Sequence, residues 1–200
     1  MQALVHACRS KACAGEVVAV ISHRAQAGGL KWAQDLGLAT EVVPHVDFAT
    51  REAFDAALSA VIDRYAPDYV LLAGFMRILT PAFVEHYTAR LVNIHPSLLP
   101  AFPGMHTHAQ ALAAGVQGHG CTVHFVTSVL DHGPIIAQGV VPVLANDTPE
   151  TLAARVLTVE HQVYPQVAIW LAQSRVQLMP DQRVQVEGVP RRLFVSEHTQ

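Results

Sequence analysis

Two hundred residues suit one domain with a substantial core, and 51% hydrophobic against 14% charged residues excludes a disordered chain. The formal net charge is −3 and the basic residues are scattered, so nothing favours nucleic acid or an anionic membrane as a partner. Cys8, Cys13 and Cys121 are odd in number and lack metal-ligand spacing, and no apolar run is long enough to cross a bilayer; a reducing, cytoplasmic location is expected.

The chain opens on a helical pattern, MQALVHACRSKACAG. EVVAVISH (16–23) is a continuous apolar run and predicts a strand covered on both faces. GLKWAQDLG predicts a short helix and TEVVPH a second strand. Between 49 and 65, Phe54, Leu58, Val61, Ile62 and Tyr65 recur at helical spacing, so that segment lays one face on a sheet. Ala66-Pro67-Asp68 ends it, and YVLLAG (69–74) is the next buried strand.

Thr80 as N-cap and Pro81 at the first helical position begin a helix that leads into the strand carrying Asn93. THAQALAAG predicts a short helix closed by Gly115. CTVHFVT (121–127) and IIAQGVVPV (135–143) predict strands on either side of the turn DHGP. Thr148 and Pro149 open a long helix with Leu152, Val156, Val159, Val163, Val167 and Trp170 as its inner stripe and a kink expected at Pro165. VQLMP, RVQVEG and RLFVS are short strand candidates. The pattern is α/β, with a mostly parallel sheet and an antiparallel C-terminal part.

The stretch NIHPSLLPAFPG (93–104) carries the chemistry. Asn93 and His95 alternate onto one side at a strand's carboxyl end, where open parallel sheets gather ligands, and a proline-punctuated loop follows. An Asn amide can donate to a carbonyl oxygen and a His can donate or shuttle a proton. Asp131 ends a hairpin strand in SVLDHGP and, beside an imidazole, would favour its charged form. Such a set suits acyl transfer through a tetrahedral oxyanion. Ser97 lacks the glycine-flanked elbow of a nucleophile, so direct transfer is expected over a covalent intermediate. Taken singly, each has a plainer reading: Asn93 as a turn closer, His95 as a core histidine and Asp131 as a turn former. His106 and His108 have no third ligand at metal spacing, and no metal is expected.

NIHPSLLPAFPGMHTHAQAL, with LAGFMRIL before it and HGCTVHFVTSVLDHGPII after it, resembles the phosphoribosylglycinamide formyltransferases of the folate-dependent formyltransferase superfamily. The likeness runs from Met1 to about residue 180. It implies an open, Rossmann-like, mostly parallel sheet with helices on both faces. It also implies a single domain over 1–200, with a nucleotide-binding half (1–90) and a catalytic and folate-binding half (91–200). The implied reaction passes a formyl group from 10-formyltetrahydrofolate, a co-substrate, to the amine of glycinamide ribonucleotide in purine synthesis. The implied partners are these small molecules, with the chain a monomer or homodimer.

By the same resemblance Asn93 and His95 polarise the formyl oxygen and Asp131 supports protonation of His95. Met76, Arg77, Ile78 and Leu79, with Thr127, Ser128, Val129 and Leu130, border the folate. Arg51 meets its glutamate end, although an exposed helix arginine is the plainer reading. Glu160 holds the ribonucleotide hydroxyls, against the plainer reading of a solvated carboxylate. His124 lies near the site or is a satisfied core histidine, and Leu99-Pro100 is a candidate cis bond.

The chain departs from the family pattern in three places. His132 stands where a second glycine is common and would crowd the folate loop, and Leu157 replaces an often polar contact. The family's first strand and Gly-x-Gly-Ser-Asn phosphate loop have no counterpart before the opening helix, so the strands at 16–23 and 69–74 are expected to flank a gap. A non-catalytic folate or nucleotide binder and a formyltetrahydrofolate hydrolase are the alternative readings.

Overall fold

Helical and strand periods resolve as expected into an α/β chain, described over residues 1–196 by a computed structural model. The first half comprises α1 (Gln2–Cys8), β1 (Val20–Ser22), α2 (Gly28–Asp35), β2 (Thr40–Val42), α3 (Arg51–Asp63), β3 (Val70–Leu72) and α4 (Pro81–His86). The second comprises β4 (Leu91–His95), α5 (Thr107–Ala113), β5 (Gly118–Phe125), β6 (Ile135–Pro142), α6 (Pro149–Ala172), β7 (Val176–Leu178), β8 (Val184–Val186) and β9 (Leu193–Val195). The predicted caps Thr80 and Thr148 are in place, and Thr50 caps α3 as well: each accepts from a backbone N–H in the first turn of its helix.

Pairing follows β3-β4-β5-β6-β9 in the main sheet, with separate pairs β1-β2 and β7-β8. The parallel pairs are β1/β2, β3/β4 and β6/β9; β4/β5, β5/β6 and β7/β8 are antiparallel. The C-terminal part is therefore mixed, where the sequence pattern predicts it antiparallel. β9 runs parallel beside β6, and the Arg192 guanidinium holds it there by donating to the Ile135 and Ile136 carbonyls at 3.1 and 2.7 Å.

β1 and β3 do not pair, and a cavity of about 1090 Å³ separates them. Val5, Val18, Val20, Val70, Leu72 and Leu171 are among its walls. This is the expected gap, and it corrects the burial expected of both strands. β1 and β3 are only half-buried and Val18 is exposed, because one side of each strand faces the cavity. Glu16 to Ala19 lie outside β1 for the same reason, having no neighbouring strand to pair with. The opening helix is also shorter than its pattern. It stops at Cys8, and Lys11 and Ala12 beyond it are exposed, with no apolar face left to bury.

The core sits mainly under α6. All six residues of its predicted stripe are buried, Pro165 lies inside the helix, and Val159 and Val163 pack on β6 at Gly139. A Cβ at Gly139 would come within 2.6 Å of Val159 Cγ2, so only glycine allows the helix this close. Tyr164 fixes α6 to the strands that carry the site: its hydroxyl lies 2.9 Å from the Leu72 carbonyl and 3.1 Å from that of Val92. Tyr164→Phe strips both buried carbonyls of this donor and is expected to cost about 1–3 kcal/mol, read from the midpoint of urea unfolding at unchanged slope.

Candidate functional site

β4 supplies the first two groups. Its register sets Asn93 opposite His124 and His95 opposite Thr122 on β5. His95 is buried and Asn93 half-buried. Among the described residues the Asn93 amide makes no hydrogen bond, so it is free to donate to a ligand.

The loop after β4 is held by hydroxyl and amide groups reaching in from the elements around it. The Thr122 hydroxyl donates to the Ser97 carbonyl at 2.7 Å and accepts from the Leu99 N–H at 3.0 Å. Gln138 Nε2 donates to the Leu99 carbonyl at 3.0 Å, and the Thr107 hydroxyl to that of Pro96 at 2.6 Å. Leu99-Pro100 is cis, and Phe102 and His106 both have positive φ. The Phe102 carbonyl accepts from His95 Nε2 at 3.1 Å. That bond assigns the Nε2 proton and leaves Nδ1 to face Asp131.

Asp131 is the third group. It sits in the left-handed region (φ 53°), which Asp tolerates better than most residues. Its Oδ2 accepts from the Gly104 N–H at 2.8 Å and lies 3.5 Å from His95 Nδ1. The side chains of His95 and Asp131 are only 8% and 7% exposed. The expected convergence of Asn93, His95 and Asp131 is thus present, and a residue-poor loop becomes part of it through the Phe102 carbonyl and the Gly104 amide. Neither of those backbone groups has a side-chain signature, so sequence reasoning missed them.

The segment leading to Asp131 is braced from within. The Thr127 hydroxyl donates to the Val129 carbonyl at 3.1 Å and His132 Nδ1 to the Leu130 carbonyl at 2.8 Å. His132 itself is exposed. The tight position is Gly133, where a Cβ would stand 1.7 Å from the Phe125 carbonyl oxygen.

Met76 and Ile78 after β3, and Val129 and Leu130 after β5, are exposed apolar side chains on loops following the two strands that flank β4. Ser128 is exposed, and Leu79 packs against the core cluster below α3 and α4. Arg77 lies over the Phe54 ring at 5.2 Å, with its Nε buried and unpartnered. Arg51 is exposed in the first turn of α3. Glu160 is half-buried on α6, and burial pushes its carboxyl up to about 7. Neither Arg51 nor Glu160 forms a hydrogen bond or ion pair with the three converging residues. Leu157 is exposed on α6. His124 is buried and donates through Nδ1 to the Phe125 carbonyl at 2.9 Å, while its Nε2 has no partner. Burial lowers the His124 pKa, so its imidazole is neutral near pH 7.

The formyl transferase family matches residues 1–168. Phosphoribosylglycinamide formyltransferase of Escherichia coli K12 is 52% identical over 178 residues, which are 89% of this chain and 84% of that protein. The crystal structure of phosphoribosylglycinamide formyltransferase from Anaplasma phagocytophilum is similar with a TM-score of 0.89 at 41% identity, over 98% of this chain and 92% of the other. A formyltetrahydrofolate deformylase from Pseudomonas syringae pv. tomato is similar with a TM-score of 0.84 at 30% identity, over 92% of this chain and 61% of the other.

Glu160 gives a pH test. Its folded carboxyl keeps a proton up to about pH 7, whereas the unfolded one releases it near 4.5. The folded state therefore binds more protons between those values, and this group's contribution falls as pH rises through that window. Glu160→Gln is expected to gain stability relative to the parent chain from pH 5 to pH 8. Paired urea denaturations at the two pH values check it.

Proposed function

This chain belongs to the formyl transferase family, and we propose that it transfers the formyl group of 10-formyltetrahydrofolate to the primary amine of glycinamide ribonucleotide, as a step of purine synthesis. The observation that carries the mechanism is the buried His95 imidazole held between the Phe102 carbonyl and the Asp131 carboxylate, on the strand face it shares with Asn93.

The amine attacks the formyl carbon and the carbonyl oxygen gains negative charge. Asn93 donates its amide N–H to that oxygen, and His95 donates from an imidazolium that Asp131 stabilises. The contact between His95 Nδ1 and Asp131 is long for a hydrogen bond at 3.5 Å, so this side of the ring is the one that can turn to a substrate oxygen. Collapse of the tetrahedral adduct breaks the bond to N10 of the folate. The proton lost by the attacking amine passes through His95 and Asp131 to that nitrogen. No covalent enzyme intermediate is needed.

The folate is read as lying along Met76, Arg77, Ile78 and Leu79 and against Thr127, Ser128, Val129 and Leu130, with Arg51 toward its glutamate end. Glu160 is read as holding the ribonucleotide hydroxyls. Exposed apolar side chains at Met76, Ile78, Val129 and Leu130 support an apolar ligand surface there. The partners are the two small molecules, with the chain a monomer or homodimer in the cytoplasm.

His95→Ala is expected to lower kcat by about two orders of magnitude or more, with smaller changes in either KM, because the lost contribution grows with charge in the transition state. The assay follows transfer to glycinamide ribonucleotide and, separately, formate release without it. Near-normal turnover in the variant would remove His95 from the chemistry. Formate release that is indifferent to the amine would identify a hydrolase instead.

A further inference from the structure

Behind His95 lies a second pair of imidazoles to which the transfer chemistry assigns no part. His119, on β5, is fully buried. Its Nε2 is 3.2 Å from Nδ1 of His108 on α5, and the two rings meet edge to face at 5.2 Å between centroids. The Phe102 ring packs against His119, also edge-on, at 6.0 Å. Phe102 is the residue whose carbonyl holds His95 Nε2, and it does so with a backbone in the left-handed region, which a bulky residue keeps only when its surroundings enforce it. His119 Nδ1 is buried without a hydrogen bond, on the side of the Pro96 carbonyl that also accepts from the Thr107 hydroxyl. Contacts thus run from α5 through His108, His119 and Phe102 to His95.

The geometry points to His119 and His108 as positioning residues for the transfer reaction: their hydrogen bond locks the His119 ring under Phe102, and Phe102 in turn presents the carbonyl that orients His95. An apolar side chain at 119 would fill the space without a bond to α5, whereas the imidazole is tied to it through Nε2. Charge on the pair would work against the reaction, since both rings are near enough to His95 to oppose its protonation. Burial prevents this, bringing His119 down to about 4 and lowering His108 as well, so the pair stays neutral while His95 takes its proton.

The inference rests on His95 being the proton donor, and the experiment separates the two claims. His108 is only half-buried, so His108→Ala breaks the hydrogen bond from the outer side with little effect on the core. His119→Phe breaks it from within, and His119→Gln keeps a polar group near the Nε2 position. Steady-state kinetics with both substrates and the thermal midpoint are measured on all three variants and on His95→Ala, and the ¹⁵N shifts of the His95 ring on the three that keep it.

The expected result for His108→Ala and His119→Phe is a fall in kcat of about tenfold, with either KM changed by less than about threefold. The His95 Nε2 signal moves as its bond to the Phe102 carbonyl loosens, and His119→Gln recovers most of the loss. Parent-like kcat and His95 shifts in His108→Ala would overturn the inference. So would a loss in His119→Phe that tracks its thermal midpoint and is not rescued by Gln. If His95→Ala itself turns over normally, the catalytic reading fails first, whereas a dead His95→Ala beside a normal His108→Ala sinks only the positioning role.

Discussion

A buried imidazole with two protein partners is the constraint on which the site depends. Asp131 sets its carboxylate 3.5 Å from Nδ1, and the Phe102 carbonyl accepts from Nε2 and tethers that edge of the ring. Both partners come from irregular backbone, and both need scaffolding. Asp131 is held by accepting from Gly104, so the two loops fix one another as they fix His95.

That scaffolding explains why so much polarity is buried beneath the proline loop. Thr122, Ser97 and Thr107 are buried, and each hydroxyl satisfies backbone groups that the loop leaves without a ladder. Unpaired, each such group would cost about 1–3 kcal/mol. Paired, they hold the loop by side-chain bonds in place of a ladder. Tyr164 extends the same logic to the other side of β4, where one hydroxyl spans the Leu72 and Val92 carbonyls and joins α6 to both parallel strands. The catalytic strand is thus gripped from both faces, while the cavity between β1 and β3 lies one strand further away.

Legibility differed between elements for physical reasons. α4 and α6 announce themselves through a threonine cap followed by proline, and α3 and α6 through an apolar stripe, all local in sequence, and they form where the pattern places them. β1 was overread because continuous hydrophobicity measures what a strand could bury. Actual burial depends on neighbours, and here β1 pairs with β2 on one side and faces the cavity on the other. After β5 the His132 ring bonds the Leu130 carbonyl, and Gly133 takes the tight position against the Phe125 carbonyl. The parallel docking of β9 had no sequence signal at all, since it is set by Arg192 reaching two carbonyls some fifty-six residues away.

Asn93, His95 and Asp131 could be named from sequence because strand alternation and a proline loop are local facts, and because the block around them resembles a known family. The grouping itself was decided by folding. Asp131 lies 36 residues beyond His95, and only the antiparallel return of β5 along β4 brings it to 3.5 Å. The Phe102 carbonyl, the Gly104 amide and the His108–His119 pair were beyond sequence reading altogether. Backbone groups look alike in every residue, and a buried histidine is distinguished only by what it touches. Side-chain chemistry is written along the chain, but its orientation and ionisation depend on partners that only the folded structure brings within reach.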